Sequence, residues 1–144
     1  MHNPLSALVD RLSQPLDLAG RVLLGLYFLL PGLMKIVAFT ATVSYMTQHH
    51  VPYPAPLLVV ATVLEVGGGL ALVLGWQTKV WAFVLAGLTL LICYYLHDFW
   101  HTYAGGSTQH ELQNFVKDLG IFAGLLTLAG RGAPRLSLDG KYKR

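Results

Sequence analysis

The sequence predicts an all-α membrane protein built as a bundle of four transmembrane helices. Its composition is the first indication, because 54% of the 144 residues are hydrophobic and only 12% are charged. A typical soluble domain has about 25% charged residues. The apolar residues also fall into four segments, each close to the length of a helix that crosses a bilayer. The length fits one domain, residues 1–144.

The N-terminal stretch, Met1–Gln14, predicts a short interfacial helix that lies on the membrane surface. Its apolar side chains share one helical face: Leu5, Leu8, Val9 and Leu12. We expect Pro15 to end this helix, because proline in a helix interior removes a backbone hydrogen bond. A frayed tail is the alternative.

The first predicted span, about residues 17–39, carries two cations, Arg21 and Lys35, and one proline, Pro31. On a helix the two cations share one face with Gly25, Phe28 and Gly32, so this span also has a small, charged face. It is placed like a signal peptide, but no small-residue cleavage site follows, so we interpret it as a mature helix. A second interfacial helix is expected between spans one and two, starting near Thr40. The sequence Val51–Pro54 contains two prolines and predicts a stiff turn.

The second span, about residues 57–75, has one ionisable side chain, Glu65, near its middle. A carboxyl group at that depth is costly, so it needs a partner or stays protonated. Small residues share its helical face: Ala61, Thr62, Gly68 and Gly69. Because small residues let another helix come close, this face is expected to point into the bundle.

The third and fourth spans are predicted at about 80–96 and 112–130. Aromatic residues typical of membrane interfaces flank the third: Trp76, Trp81, Tyr94, Tyr95 and Trp100. Span four begins with Lys117 and Asp118, followed by an apolar run. A small, polar face is expected along it: Lys117, Gly120, Gly124 and Thr127.

The placement of positive charge predicts the orientation. Eight of the ten Lys and Arg residues fall on the side of the two termini, and only Lys35 and Lys117 fall on the other. This bias predicts an inner-membrane protein with cytoplasmic termini. It explains the net charge of +3 as a feature of topology, with no nucleic-acid partner. Five of the six histidines then lie on the outer side: His49, His50, His97, His101 and His110.

Several short motifs, in this order along the chain, resemble the DoxX family. They are Arg21, Pro31–Lys35, Tyr45-Met46, Val51-Pro52, Glu65–Gly69, Leu74–Lys79, His97–Trp100, Lys117–Leu119 and Leu136–Asp139. The resemblance implies a four-helix inner-membrane protein. The family takes its name from small subunits of an archaeal thiosulfate:quinone oxidoreductase, and most members have no assigned reaction. One departure is Asp118, where the family usually has Asn, so this chain has an additional carboxyl group.

The candidate site opens outward from Glu65. Counting residues along antiparallel helices brings either Arg21 or Lys117 within reach of Glu65. Lys35 and Lys117 lie above it, Asp118 lies next to Lys117, and His97 lies at the rim. We expect Glu65 and His97 to exchange protons, and Arg21, Lys35, Lys117 and Asp118 to bind a ligand. The alternative is a structural ion pair that fixes helix register.

The end of the third span contains a possible but less favoured metal site. Cys93, His97 and His101 are spaced four residues apart, which would place three metal ligands on one helical face. This requires the third span to continue as far as His101. A helix that ends at the interface, where histidine and aromatic residues are common, is the simpler interpretation.

Two classes of function remain. The first is a redox-associated subunit whose outer pocket accepts a quinone or a small sulfur compound. The sequence encodes no redox centre, and with one cysteine it has no internal dithiol pair, so electrons would come from a bound quinone or from a soluble or membrane redox partner. The second class is a small-solute or proton-coupled carrier, or a membrane anchor for soluble enzymes. Inverted repeats would favour a carrier, but the two halves do not align.

Overall fold

The structure, a computed structural model, describes residues 3–133 and 136–142. Within those ranges the regular structure consists of six α-helices. They are α1 Pro4–Val37, α2 Phe39–Gln48, α3 Pro54–Leu74, α4 Thr78–Leu96, α5 Thr108–Arg131 and α6 Leu138–Tyr142. The predicted spans correspond to α1, α3, α4 and α5, with ends that differ by a few residues except at the start of α1, which lies 13 residues before the predicted start of span one.

Three helices in the described ranges are long and apolar enough to cross a membrane: α1, α3 and α4. The fourth, α5, has 24 residues, but its first turns are polar, with Gln109, His110 and Glu111. A fourth crossing therefore remains a prediction for α5.

The N-terminal prediction was wrong in one respect. No break occurs at Pro15, because α1 is a single helix of 34 residues that contains both Pro15 and Pro31. The fixed φ of proline is compatible with a helix, and its cost is one lost bond to the carbonyl four residues earlier. Here that carbonyl belongs to Arg11, in an exposed turn of the helix.

The bundle has two ends, which we name by their contents. At the termini end, α1 begins, α3 passes into α4, and α5 finishes. At the histidine end, α1 passes into α2, α3 begins, and α4 connects to α5. The connection from α2 to α3 is the predicted stiff turn, with left-handed backbone at His50 and Tyr53.

The main contact in the bundle joins α1 and α3. A Cβ atom on Gly25 would lie 2.7 Å from the carbonyl oxygen of Gly69, and one on Gly69 would lie 2.6 Å from the backbone nitrogen of Leu29. The two backbones are therefore in direct contact. This confirms that the small faces of spans one and two point into the bundle. A core of Phe28, Leu72, Leu85 and Leu125 fills the space beside them.

The expectation for the small face of span four was wrong. Lys117, Gly120 and Thr127 are exposed, and a Cβ atom on Gly120 would meet nothing within 4 Å. Larger residues of α5 turn inward instead, including Leu125 and Leu128. The packing of α5 on α4 uses these side chains and does not need a close backbone approach.

Candidate functional site

Glu65 is paired with Lys35. The Lys35 Nζ atom donates to both carboxylate oxygens of Glu65, at 2.5 and 2.6 Å. The Glu65 side chain is 3% exposed and that of Lys35 is 22% exposed, so a buried carboxylate is paired with a partly exposed ammonium group. Gly32 permits this arrangement, because a Cβ atom there would lie 3.0 Å from the Glu65 Cβ.

The two partners expected for Glu65 were wrong. Lys117 is exposed on α5 and is not part of a cleft above Glu65. Arg21 is buried, but it lies at the termini end. Its Nη1 atom donates to the carbonyls of Leu72 and Val73, at 2.5 and 2.9 Å. Its Nη2 atom donates to Leu136 O at 2.7 Å. These hydrogen bonds give Arg21 a structural role, because they join α1 to α3 and to Leu136.

The contacts of Arg21 belong to a larger arrangement that closes the termini end. Gly75 follows α3 in the left-handed region, with φ of 70°, and a Cβ atom there would lie 2.6 Å from Arg21 Nη1. Asp139 accepts from the backbone nitrogens of Gln77 and Thr78, at 2.7 and 2.9 Å, and so satisfies donors at the start of α4. The Leu136–Asp139 segment therefore holds the α3–α4 turn to α1.

Asp118 and His97 come together at the histidine end, as expected. The Nε2 atom of His97 lies 3.5 Å from Asp118 Oδ2, and Tyr27 donates its hydroxyl hydrogen to Asp118 Oδ1 at 2.8 Å. Three helices meet at this carboxylate, since Tyr27 lies on α1, His97 is the residue that follows α4, and Asp118 lies on α5.

The other ring nitrogen of His97 extends the same series of contacts. Its Nδ1 atom lies 2.8 Å from Glu111 Oε2, and Tyr45 donates its hydroxyl hydrogen to Leu96 O at 3.2 Å and to Glu111 Oε1 at 3.5 Å. We call this series of five side chains in contact the outer relay; in order they are Tyr27, Asp118, His97, Glu111 and Tyr45. Burial, and to a smaller extent the charge of the neighbouring Glu111, raises the pKa of Tyr45 to about 12. Tyr45 therefore stays protonated at physiological pH.

A second cluster surrounds Asp98. Its Oδ1 lies 2.8 Å from His49 Nδ1, its Oδ2 lies 2.9 Å from His101 Nδ1, and Tyr103 donates its hydroxyl hydrogen to the same Oδ2. Burial alone would raise the pKa of Asp98, but the hydrogen bonds from Tyr103, His101 and His49 outweigh it and lower that pKa. Asp98 is consequently a stable anion.

The helical face required by the metal hypothesis does not form. The helix α4 ends at Leu96, so Cys93, His97 and His101 do not share a helical face. Cys93 is buried, while His97 and His101 bind different carboxylates. In the part of the chain that the structure describes, no three His, Cys, Asp or Glu side chains are placed to hold a metal ion.

An apolar groove of about 180 Å³ lies beside the Lys35–Glu65 pair. Side chains from α1, α2, α3 and α4 line it, among them Lys35, Met46, Val60, Leu64, Leu91 and Tyr95. Lys35 is the charged member of this lining, so the groove combines an apolar wall with one cation that is already bound to a buried carboxylate. An apolar pocket with few polar groups is typical of a small-ligand site.

The family follows from comparison with known proteins. The DoxX family model matches residues 16–98, which include Arg21, Lys35, Glu65, His97 and Asp98. The chain belongs to the DoxX family. It is therefore an integral membrane protein, as the ordered motifs predicted.

Two relatives, both from Escherichia coli strain K12, extend the similarity beyond the residues that the family model matches. The inner membrane protein YqjF is 35% identical over 123 residues, which cover 85% of this chain and 88% of YqjF. The inner membrane protein YphA is 31% identical over 122 residues, or 85% of this chain and 86% of YphA. No solved structure is significantly similar to this chain.

Several residues of this DoxX site were missed by sequence reasoning. Tyr27 and Glu111 were not singled out, and Tyr45 and Asp98 appeared only within the motifs that resemble the DoxX family. One signal was available, because acidic residues are rare in the chain and both Asp98 and Glu111 occur among outer histidines. Their partners come from distant helices, so spacing alone does not identify them.

Proposed function

We propose that this DoxX protein is a redox-associated subunit that binds a quinone in the apolar groove beside Lys35 and Glu65. One observation carries the proposal: Lys35 lines the groove and also donates to both oxygens of the buried Glu65. A quinone has an apolar body and two carbonyl oxygens, and it resides in the lipid. The groove supplies an apolar wall and a hydrogen-bond donor for such a molecule.

Lys35 and Glu65 have separate tasks in this proposal. The Lys35 ammonium donates a hydrogen bond to one carbonyl oxygen and stabilises negative charge that develops there on reduction. Glu65 holds the ammonium in place and, as the deeper group, gives or takes the proton that accompanies the electron. The electrons come from a partner protein, and the quinone is the substrate.

In this proposal the outer relay moves protons among its members at the histidine end. Its contacts of 2.8 to 3.5 Å join a phenol, a carboxyl group, an imidazole, a second carboxyl group and a second phenol. The imidazole of His97 lies between Asp118 and Glu111 and has both nitrogens in use. Histidine changes charge near neutral pH, so it can pass a proton between two carboxylates.

The topology proposal places the molecule in the bacterial inner membrane with four spans and cytoplasmic termini. The uneven placement of Lys and Arg supports it, although Arg135, Lys143 and Arg144 lie outside the described residues, as do Met1 and Pro134. The names of both relatives identify inner membrane proteins. Reporter fusions after Arg144 and between Gly105 and Gly106 should report opposite compartments. If both report the same compartment, the four-span topology is wrong.

A matched pair of variants tests the groove. Val60 lines the groove and is 53% exposed, whereas Val63 on the same helix is 63% exposed and is not among the lining residues. A short-chain quinone should raise the melting temperature of the wild-type protein in detergent. Val60→Phe should abolish this rise and Val63→Phe should keep it. A wild type that responds to no quinone, or a Val60→Phe variant that responds fully, would contradict the proposal.

A second candidate is a proton-coupled carrier, which the outer relay favours because such a path also suits coupled transport. Purified protein in liposomes distinguishes the two. Proton uptake driven by a small-solute gradient, without quinone, would support a carrier. Two further alternatives are a membrane anchor for soluble enzymes and a subunit that binds a small sulfur compound. Either would show no rise in melting temperature with quinone and no proton uptake driven by a solute gradient.

A further inference from the structure

A second cavity lies at the histidine end, away from the groove. It has a volume of about 330 Å³, and its walls come from α2, the α4–α5 loop and the start of α5. Six side chains matter here: Tyr45, His49, His101, Tyr103, His110 and Glu111. The quinone proposal gives this cavity no role beyond its two relay residues, Tyr45 and Glu111.

The cavity wall presents hydrogen-bond acceptors. Asp98 lies behind it and engages the Nδ1 atoms of His49 and His101, at 2.8 and 2.9 Å. Because an ionised carboxylate only accepts, both imidazoles carry a hydrogen on Nδ1, and in the neutral ring Nε2 is then a lone-pair acceptor. Within residues 3–133 and 136–142, neither Nε2 atom makes a hydrogen bond in the chain. The His49 side chain is only 4% exposed, so it is held firmly in the wall.

The charge around the cavity is negative. Glu111 lines it and Asp98 lies just behind it, while the lining found in the described residues contains no Lys or Arg. The titratable groups that face this region are His49, His101, His110 and, behind Glu111, His97. When these imidazoles are neutral, the two carboxylates are in excess. A cation with hydrogen-bond donors suits such a wall.

Aromatic rings complete the wall. The His49 ring lies between Tyr45 and Tyr103, with centroid distances of 4.3 Å to each. Aromatic faces attract ammonium groups as well as packing against their carbon atoms. A strongly hydrated metal ion would gain little from these rings, whereas an organic amine would gain both contacts.

We propose that this cavity binds a primary ammonium group, carried by a small soluble amine or by the ethanolamine headgroup of a membrane lipid. The ammonium donates to the Nε2 atoms of His49 and His101 and pairs electrostatically with Glu111. The lipid source is compatible with the position of the cavity, because exposed Tyr53, Tyr94 and Trp100 mark the membrane interface at this end. Headgroups lie at that level.

The first experiment uses the full chain in an amine-free maltoside detergent. Ethanolamine should raise the melting temperature in a saturable way, and ethylene glycol at equal concentration and ionic strength should not. Lowering the pH from 8 to about 5.5 should weaken the effect of ethanolamine, because protonated imidazoles repel the ammonium. Equal responses to ethanolamine and ethylene glycol, or a response to Zn²⁺ but not to ethanolamine, would overturn the proposal.

Variants locate the effect in the cavity. His101→Gln should weaken the apparent affinity for ethanolamine by about tenfold or more, because it removes one acceptor for a charged donor. His50→Gln is the matched control, since His50 is an exposed neighbour that does not line the cavity. Glu111→Gln provides a second variant if His101→Gln folds poorly. Unchanged affinity in both cavity variants would overturn the proposal, whatever the response to quinone.

Nanodiscs identify the source of the ammonium. If the ligand is a headgroup, phosphatidylethanolamine should raise the melting temperature above its value in phosphatidylcholine, and added ethanolamine should then have little further effect. If the ligand is a soluble amine, ethanolamine should act equally in both lipids. A melting temperature that responds neither to the lipid nor to ethanolamine would contradict ammonium binding.

Discussion

The two ends of the bundle both contain buried charge, but they use it differently. At the termini end, the described hydrogen bonds of Arg21 go to backbone carbonyls, those of Leu72, Val73 and Leu136. At the histidine end, charged and titratable side chains bind each other, as His97 does with Glu111 and Asp118. Both ends are held by hydrogen bonds. At the first, the bonds described above join a side chain to the backbone, as those of Arg21 and Asp139 do, whereas at the second titratable side chains bind each other.

This difference separates structure from function. An arginine keeps its charge at any physiological pH, and a carbonyl cannot titrate, so the Arg21 contacts form a fixed joint between α1, α3 and the Leu136–Asp139 segment. Carboxylates, imidazoles and phenols exchange protons with each other and with a ligand. The Lys35–Glu65 pair belongs to the second type, and it is also adjacent to the groove. We therefore expect the termini end to set stability and the histidine end to set activity.

The largest expected effect is the loss of Arg21. Arg21→Met leaves buried carbonyls of α3 without a donor and should destabilise the protein by about 5 kcal/mol, estimated from several charge-assisted bonds. Arg21→Lys should restore little of the lost stability, because a single ammonium group cannot donate in the two directions in which Nη1 and Nη2 of the guanidinium donate. The measurement is thermal unfolding in detergent, with Arg11→Met, on an exposed turn of the same helix, as control. A small change for Arg21→Met would show that the two ends do not differ as described.

The Lys35–Glu65 pair should show the next largest effect. Glu65→Gln leaves a cation next to a buried amide, and removing one partner of such a pair costs about 3 kcal/mol. The double variant Lys35→Met with Glu65→Gln should recover part of that loss. Arg21→Met or Lys117→Met combined with Glu65→Gln should give additive losses, since neither residue contacts Glu65. A recovery with Arg21 or Lys117, and none with Lys35, would reverse the assignment.

The smallest expected effect concerns alkaline pH at the Asp98 cluster. Burial and the hydrogen bond to Asp98 raise the pKa of Tyr103 to about 12, against about 10 in an unfolded chain. The unfolded phenol therefore ionises first, and the contribution of Tyr103 to stability is present below pH 10 and declines between pH 10 and 12. Tyr103→Phe should lower the melting temperature at pH 8 and reduce its decline above pH 10. Tyr53→Phe, at a side chain that is 80% exposed, should keep the wild-type slope.

The sequence was sufficient for the helices and for one end of the site. Apolar segments predicted α3, α4 and α5 and the end of α1 within a few residues, because each long helix contains a run of apolar residues. The start of α1 was missed, because Pro15 does not end the helix. Glu65 stood out as a lone carboxyl group in an apolar span. The close contact of α1 and α3 followed from Gly25 and Gly69, since small residues at helical spacing indicate a shared face.

The partners were harder to predict, for two physical reasons. The position of each residue along a straight helix does not say how far its side chain reaches. The flexible Lys35 side chain reaches Glu65 because α1 and α3 come close together at Gly32. The pairing of His49 with Asp98 joins residues 49 positions apart and depends on how α2 docks. The exposed face of α5 was misjudged because a small-residue pattern permits close packing but does not require it.

One measurement tests most directly whether the Lys35–Glu65 pair belongs to a functional site and is not only a structural ion pair. It compares the quinone-induced rise in melting temperature of two destabilised variants, Glu65→Gln and Leu125→Ala. Leu125 is fully buried on α5 and does not line the groove, and its truncation should cost about 3 kcal/mol, similar to the loss of Glu65. We predict that Leu125→Ala keeps the wild-type rise and that Glu65→Gln loses it. The same rise in both variants would contradict the account and leave Glu65 with a structural role alone.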